Sequence, residues 1–297
     1  MAVEERILGR LTIIGDRLRS IRLPLLIAGA GLFLLGAWWS FGQLGLSVGD
    51  IRLSFLGLLL LMAPISLLYS GIGLQIVARS GGVHIPLGKA TLVACHATLA
   101  EALPIPGGAI VRSGALMTRG VGMVRSFALV TANAVLWIAL SSVGAGIAIL
   151  PYSAMGALFL IAIGGVGVAG ILVWLAWKAG SRIAAYSFAH RVTGVALLAL
   201  RLFLAFQAIG VALPFIKAFP VTLATIAGSA ASITPAGLGI SEILAALISS
   251  TVQLAPAAAF LAVGLDRLMF MVASGIGALA AHAGIASGNE IKDSHQE

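Results

Sequence analysis

Apolar runs of about 20 residues follow one another along almost the whole chain, separated by short polar connections and without strict alternation of apolar and polar positions. A helix of that length crosses ~30 Å of hydrocarbon, whereas a membrane barrel uses shorter segments with a period of two. The pattern predicts full helical spans near 23–39, 53–76, 126–150, 154–177, 194–216 and 255–282. The first run follows Arg17, Arg19 and Arg22 as a secretory leader would, but it lacks a small-x-small cleavage site and ends in Trp38 and Trp39. It therefore reads as a retained span with an aromatic anchor at the interface.

Two stretches resist this pattern. Residues 90–118 start and end among basic residues on one side, and 218–252 must start and end on the other, so each has to enter the membrane and turn back. Each carries helix breakers at its centre, "LPIPGG" (Leu103 to Gly108) and "TPAGLG" (Thr234 to Gly239). Proline removes a backbone donor and glycine admits positive φ, so each stretch reads as helix, turn, helix: a re-entrant hairpin. Exposed irregular backbone is not tolerated in lipid, so the turns must be buried in protein or line a wet cavity.

Setting Pro106 against Pro235 aligns "PGGAIVRSGAL" with "PAGLGISEILA", and each hairpin has a span before it and a span after it. Repeat one covers about 53–150 and repeat two about 194–282, entering from opposite sides, with 154–177 as the linking span. The predicted fold class is thus an all-α integral membrane protein of about six transmembrane helices plus two re-entrant hairpins in an inverted-topology repeat. Residues 1–285 form a single membrane domain and 286–297 a polar tail. Inverted repeats recur in secondary transporters, where substrate sits near the midplane among half-helix ends.

Composition fits. Hydrophobic residues make up 60% of the 297 and charged residues 9%, well below the ~25% of a soluble domain. The net charge of +8 and pI near 10.6 raise the question of nucleic acid. The basic residues instead collect in connections on one side: Arg6, Arg10, Arg17, Arg19, Arg22, Arg79, Lys89, Arg112, Arg119, Arg125, Lys178, Arg182, Arg191 and Lys292, leaving Arg52 and Lys217 opposite. The positive-inside rule then places both termini in the cytoplasm and the protein in the cytoplasmic (inner) membrane. Cys95 has no cysteine partner, and His84, His96, His190, His282 and His295 are scattered without ligand spacing, so neither a metal site nor a cofactor is expected. Gly165, Gly167 and Gly170 satisfy G-x-G-x-x-G, but no strand precedes them, and close helix packing is the expected reason for them.

The stretch "SITPAGLGISEILAALI" (Ser232 to Ile248), followed by "APAAAFLAVGLDRLMF" (Ala255 to Phe270), resembles the C-terminal signature of the lysylphosphatidylglycerol synthase transmembrane-region family. "ALPIPGGAIVRSGAL" (Ala102 to Leu116) resembles that family's earlier proline-glycine-arginine segment, so the likeness runs over roughly 50 to 285. The family's best-known members are the flippase portion of bacterial proteins that make and translocate aminoacylated phosphatidylglycerol, joined there to a cytoplasmic aminoacyl-transferase domain. Only fifteen residues follow His282 here, so the resemblance implies lipid translocation without aminoacyl transfer.

Charges at membrane depth are costly and mark candidate sites. Glu242, after "PAGLG", reads as a carboxylate coupled to a proton or headgroup, or as a cap on free amides at a helix start. Arg112, at the matching place in the first hairpin, suits a lipid phosphate with amides of "GGAI" beside it, or snorkels to the interface. Glu101 takes up a proton or pairs with an arginine. Pro106, Gly107, Gly108, Pro235, Gly237 and Gly239 shape the two turns. Asp266 and Arg267, about 100° apart on one helix, cannot face each other and each needs a partner elsewhere, Arg201 being the natural one for Asp266. The expected function is movement of a phospholipid or polyprenyl-type lipid. The alternatives are a membrane-embedded enzyme on a lipid-linked substrate, for which no specific catalytic motif is present, and a scaffold for lipid synthesis. Expected partners are membrane lipids, with a second copy of the chain or lipid-biosynthesis enzymes admitted and nucleic acid excluded.

Overall fold

A computed structural model describes residues 27, 30–101, 106–231 and 239–293. The arginines from Arg6 to Arg22, most of the apolar start of the first span, the turn residues 102–105, and Pro235 and Gly237 lie outside the described residues. Within them the protein is all helical, with no strand. Five helices are long and apolar enough to cross a membrane, which makes this an all-α, multi-pass membrane protein.

A helix over 30–44 (α1) leads into Leu53–Ser80 (α2), Leu87–Ala100 (α3), Gly107–Met117 (α4) and Met123–Ile149 (α5). Ala154–Ala179 (α6) follows, then Ser181–Ala208 (α7), Ala218–Ala231 (α8), Ile240–Ser249 (α9) and Pro256–Asp293 (α10), whose apolar part is Pro256–Ala280. α2 and α7 have 28 residues each, and α3 and α8 have 14 each.

One expected span differs clearly. α7 begins at Ser181 rather than near 194, so Arg182 and Arg191 belong to the helix and not to a loop. Residues 181–193 are polar enough to look like a connection, yet they contain neither proline nor glycine, and nothing in them stops a helix that starts after Gly180 at φ +93°. The helix ends before 216 because Gly210 adopts φ +78° while the Val211 amide donates to the Phe206 carbonyl, a Schellman-type stop, with Pro214 beyond.

Helices α2 and α7 pack on each other. Around them α3 packs on α10 and α8 on α5, while α10 also touches α2 and α5 also touches α7. The apolar core centres on Leu59, Leu202, Phe206, Val221 and Val263. α6 covers α5 and α7 and turns Met155, Phe159, Val166 and Trp177 outward, as a helix facing hydrocarbon does.

Small residues set the closest approaches. A Cβ at Gly164 would meet the Ala139 carbonyl oxygen at 2.6 Å, and one at Gly167 would meet Ala139 Cβ at 3.0 Å. Gly165 and Gly170 face open space, so packing accounts for Gly167 of the G-x-G-x-x-G run and not for its other two glycines.

Candidate functional site

The second hairpin is drawn tight by a glycine. A Cβ on Gly228 of α8 would run into Ser241 of α9, including its Cα at 2.6 Å, so only glycine lets the two helices meet there. α9 starts after Gly239 at φ +83°, a backbone conformation that glycine adopts without strain. Glu242, third in α9, is fully buried; its Oε2 accepts the Gly239 amide at 2.8 Å. From α10, Arg267 Nη1 donates to Glu242 Oε1 at 3.1 Å, and its Nη2 donates to Ser241 Oγ at 2.7 Å and Ser229 Oγ at 3.1 Å. Both carboxylate oxygens are therefore engaged, and any exchange with a ligand or a proton requires the Arg267 pair to open.

The first hairpin carries a looser version. A Cβ at Gly107 would collide with the Ala100 carbonyl, and one at Gly108 with the Glu101 carboxylate, so α4 starts hard against the end of α3. Pro106 caps α4 and Glu101 caps α3. Arg112 Nη1 donates to Glu101 Oε1 at 3.1 Å, with the two side chains 32% and 40% exposed. Arg112 is the sixth residue of α4 and Glu242 the third of α9, so the two stand almost one turn apart in their helices and are not strict counterparts. The pairings differ as well: acid and base share the hairpin in the first half, while in the second the base comes from α10.

Asp266 and Arg201 meet as a bidentate pair between α10 and α7, Nε to Oδ1 at 2.8 Å and Nη2 to Oδ2 at 3.0 Å, with the residues 3% and 7% exposed. The Phe270 ring stacks under the guanidinium, 4.4 Å from its centroid. Such a fork-on-carboxylate pair has the geometry of a fixed brace between two spans. The neighbours Asp266 and Arg267 thus take partners on two different helices.

A further polar group lies where the pattern of apolar runs shows only a span and a connection. Arg191 of α7 donates through Nε to Asn133 Oδ1 on α5 at 2.9 Å, and its guanidinium sits 5.0 Å from the Trp137 ring centroid. The Tyr69 hydroxyl faces the same guanidinium. Tyr69 and His190 stack at 4.0 Å and bond reciprocally: Tyr69 Oη donates to the His190 carbonyl at 2.9 Å, and His190 Nε2 donates to the Tyr69 carbonyl at 3.0 Å. Each ring fills a glycine notch on the other helix, Gly194 under Tyr69 and Gly73 under His190. Arg191 and Asn133 each stand ten residues into their helices, about 15 Å along at ~1.5 Å per residue. The missing signal in the sequence is the uninterrupted helical character of 181–193, which moves Arg191 from a connection into a helix.

No protein-family model, curated protein or solved structure matches this chain.

Proposed function

We propose that the protein moves lipids across the cytoplasmic membrane, with both termini in the cytoplasm and residues 53–149 and 181–280 acting as an inverted pair of repeats. The observation that carries this reading is a pair of acid–base sites, Glu101 with Arg112 and Glu242 with Arg267, each held at the turn of a short-helix hairpin within a bundle whose outer surface is apolar. α3 and α8 reach about 21 Å, α4 about 16 Å and α9 about 15 Å at ~1.5 Å per residue, short of the ~30 Å of hydrocarbon. Their turns therefore lie at depth, where charge is tolerated only if it is paired or faces a wet path. Equal helix lengths, and the exchange of contacts in which α3 packs on α10 as α8 packs on α5, support the repeat. Lys178 and Arg182 at one turn, with Arg79, Arg119 and Arg125 near others, support the orientation. The resemblance of Ser232 to Phe270 to the lysylphosphatidylglycerol synthase transmembrane-region family points the same way.

Transport then exposes a lipid headgroup to one hairpin turn at a time, with the Arg112 guanidinium gripping phosphate and Glu242 or Glu101 exchanging its arginine for a proton or headgroup. The test is a panel of headgroup-labelled lipids in proteoliposomes, comparing wild type with Glu242→Gln and Arg112→Ala at matched protein levels. Loss of transport of one lipid class in both variants is the expected result. Variants that match wild type would move the reading to an enzyme of lipid-linked biosynthesis or a scaffold.

A further inference from the structure

Arg267 stands about 16 Å along α10 from Pro256 at ~1.5 Å per residue, within the apolar part of that helix. Its partners run from the interior to the surface: Glu242 and Ser241 are fully buried, whereas Ser229 is exposed. The two buried ion pairs are also made differently. Arg201 meets Asp266 with two nitrogens on two oxygens, and the Phe270 ring covers the guanidinium. Arg267 reaches Glu242 through one nitrogen, Nη1, at 3.1 Å and 3.4 Å from the two carboxylate oxygens, while Nη2 is turned to the serine hydroxyls. A fork on a carboxylate is stronger and more fixed than a contact through one nitrogen, so the Arg267 pair opens more readily than the Arg201 pair. Ser229 marks the side from which an anion meets the guanidinium, and a hydroxyl there can donate to that anion as well as accept.

Opening the pair leaves Glu242 without a counter-charge. α9 packs on α8, on α10 and on the short turn Ser250–Val252. α8 and the turn carry no charged residue, and Asp266 of α10 is turned to Arg201, so Arg267 is the charged partner of Glu242 among the described residues. A fully buried carboxylate stripped of that partner neutralises by taking up a proton. We infer that Arg267 binds the oxyanion of the moved lipid at the second hairpin, and that each oxyanion bound there brings one proton onto Glu242. The inference rests on the lipid-transport reading and adds to it an anion-binding residue and a coupling ion. Charge balances throughout: the paired state holds one carboxylate and one guanidinium, and the loaded state holds one carboxylic acid, one guanidinium and one singly charged anion. Net charge at depth is zero in both, which keeps the cost of the exchange low. The proton comes from the water on the side where the lipid binds and returns to water where the lipid leaves, so lipid and proton move in the same direction.

Binding is measured on the detergent-solubilised full chain carrying Arg112→Ala, which silences the grip of the first hairpin. The probes are dihexyl phosphate, a diester whose single charge does not titrate near neutral pH, dimethyl phosphate without chains, and uncharged tributyl phosphate. One proton taken up with each anion makes the affinity for dihexyl phosphate fall about tenfold for each unit rise in pH. Glu242→Gln keeps the shape and the acceptor for the Gly239 amide but no negative charge. It should bind dihexyl phosphate about tenfold tighter at neutral pH, without pH dependence, and hold it rather than release it. Arg267→Gln should abolish binding. If that variant does not fold because Glu242 is stranded, Glu242→Gln together with Arg267→Gln leaves no charge behind and carries the same arm. No binding by the parent, a pH-independent affinity, a pH slope that survives in Glu242→Gln, binding that survives loss of Arg267, or equal affinity for either control probe overturns the inference. Lipid movement in vesicles by the wild-type chain separates the two claims. Movement without proton-linked binding at Arg267 keeps the transporter and sinks the inference, while proton-linked binding without movement keeps Arg267 as an anion site and sinks the transporter.

Discussion

At the scale of single residues, burial decides what each charge pair is worth. Asp266 with Arg201 and Glu242 with Arg267 are buried, whereas the Glu101 and Arg112 side chains are about a third exposed or more. Removing one partner of a buried pair strands the other charge and costs about 3–5 kcal/mol; the half-exposed pair is screened and worth about 0–1 kcal/mol. Thermal unfolding in detergent should therefore rank Asp266→Ala and Glu242→Ala far below wild type and Glu101→Ala close to it. Equal losses at all three would contradict the burial argument. Much of this was legible in advance: the need of Asp266 and Arg267 for separate partners follows from their adjacent places on one helix, and Arg201 was the natural match for Asp266. The Glu242–Arg267 contact was not, because it joins residues 25 apart across a turn that no periodicity positions.

At the scale of elements, glycines report where helices touch. Gly228 abuts Ser241 across the α8–α9 hairpin, while Gly165 on α6 has nothing within 4 Å. Gly228→Ala should overpack the hairpin and cost about 1–3 kcal/mol, whereas Gly165→Ala should be neutral or stabilise by up to about 1 kcal/mol through helix propensity alone. Melting curves of the two variants check this, and a benign Gly228→Ala would mean that α8 and α9 stand further apart. The sequence shows that glycines are abundant but not which face they occupy, so the G-x-G-x-x-G run in α6 suggested packing for three residues where only Gly167 has a close neighbour. The same limit explains α7: hydropathy marks the apolar part from 194 onward, and the polar turns before it, carrying Arg191, read as a loop.

At the scale of the whole molecule, the account requires the long helices to alternate in direction and the short pairs to return to the side they left. α5, α6 and α7 are joined by tight turns at 150–153 and at Gly180. With the buried Cys95 replaced, Ser153→Cys and Ser181→Cys should react with a membrane-impermeant maleimide from opposite sides, Ser181→Cys only after the cytoplasmic face is opened. Labelling of both from one side would break the topology on which the repeat depends. The class of the fold and five of its spans follow from runs of apolar residues, because the length and apolarity of a run decide whether a helix can cross. Function is less legible, since it depends on which interior charges are paired, and pairing is a property of the packed bundle. The most direct measurement is wild-type transport itself: fluorescent headgroup-labelled lipid in sealed proteoliposomes, with a membrane-impermeant quencher added outside. The account predicts that quenching proceeds beyond the outer leaflet's share for one lipid class and is lost with Glu242→Gln and Arg112→Ala. Quenching that stops at the level of protein-free vesicles for every headgroup would contradict it.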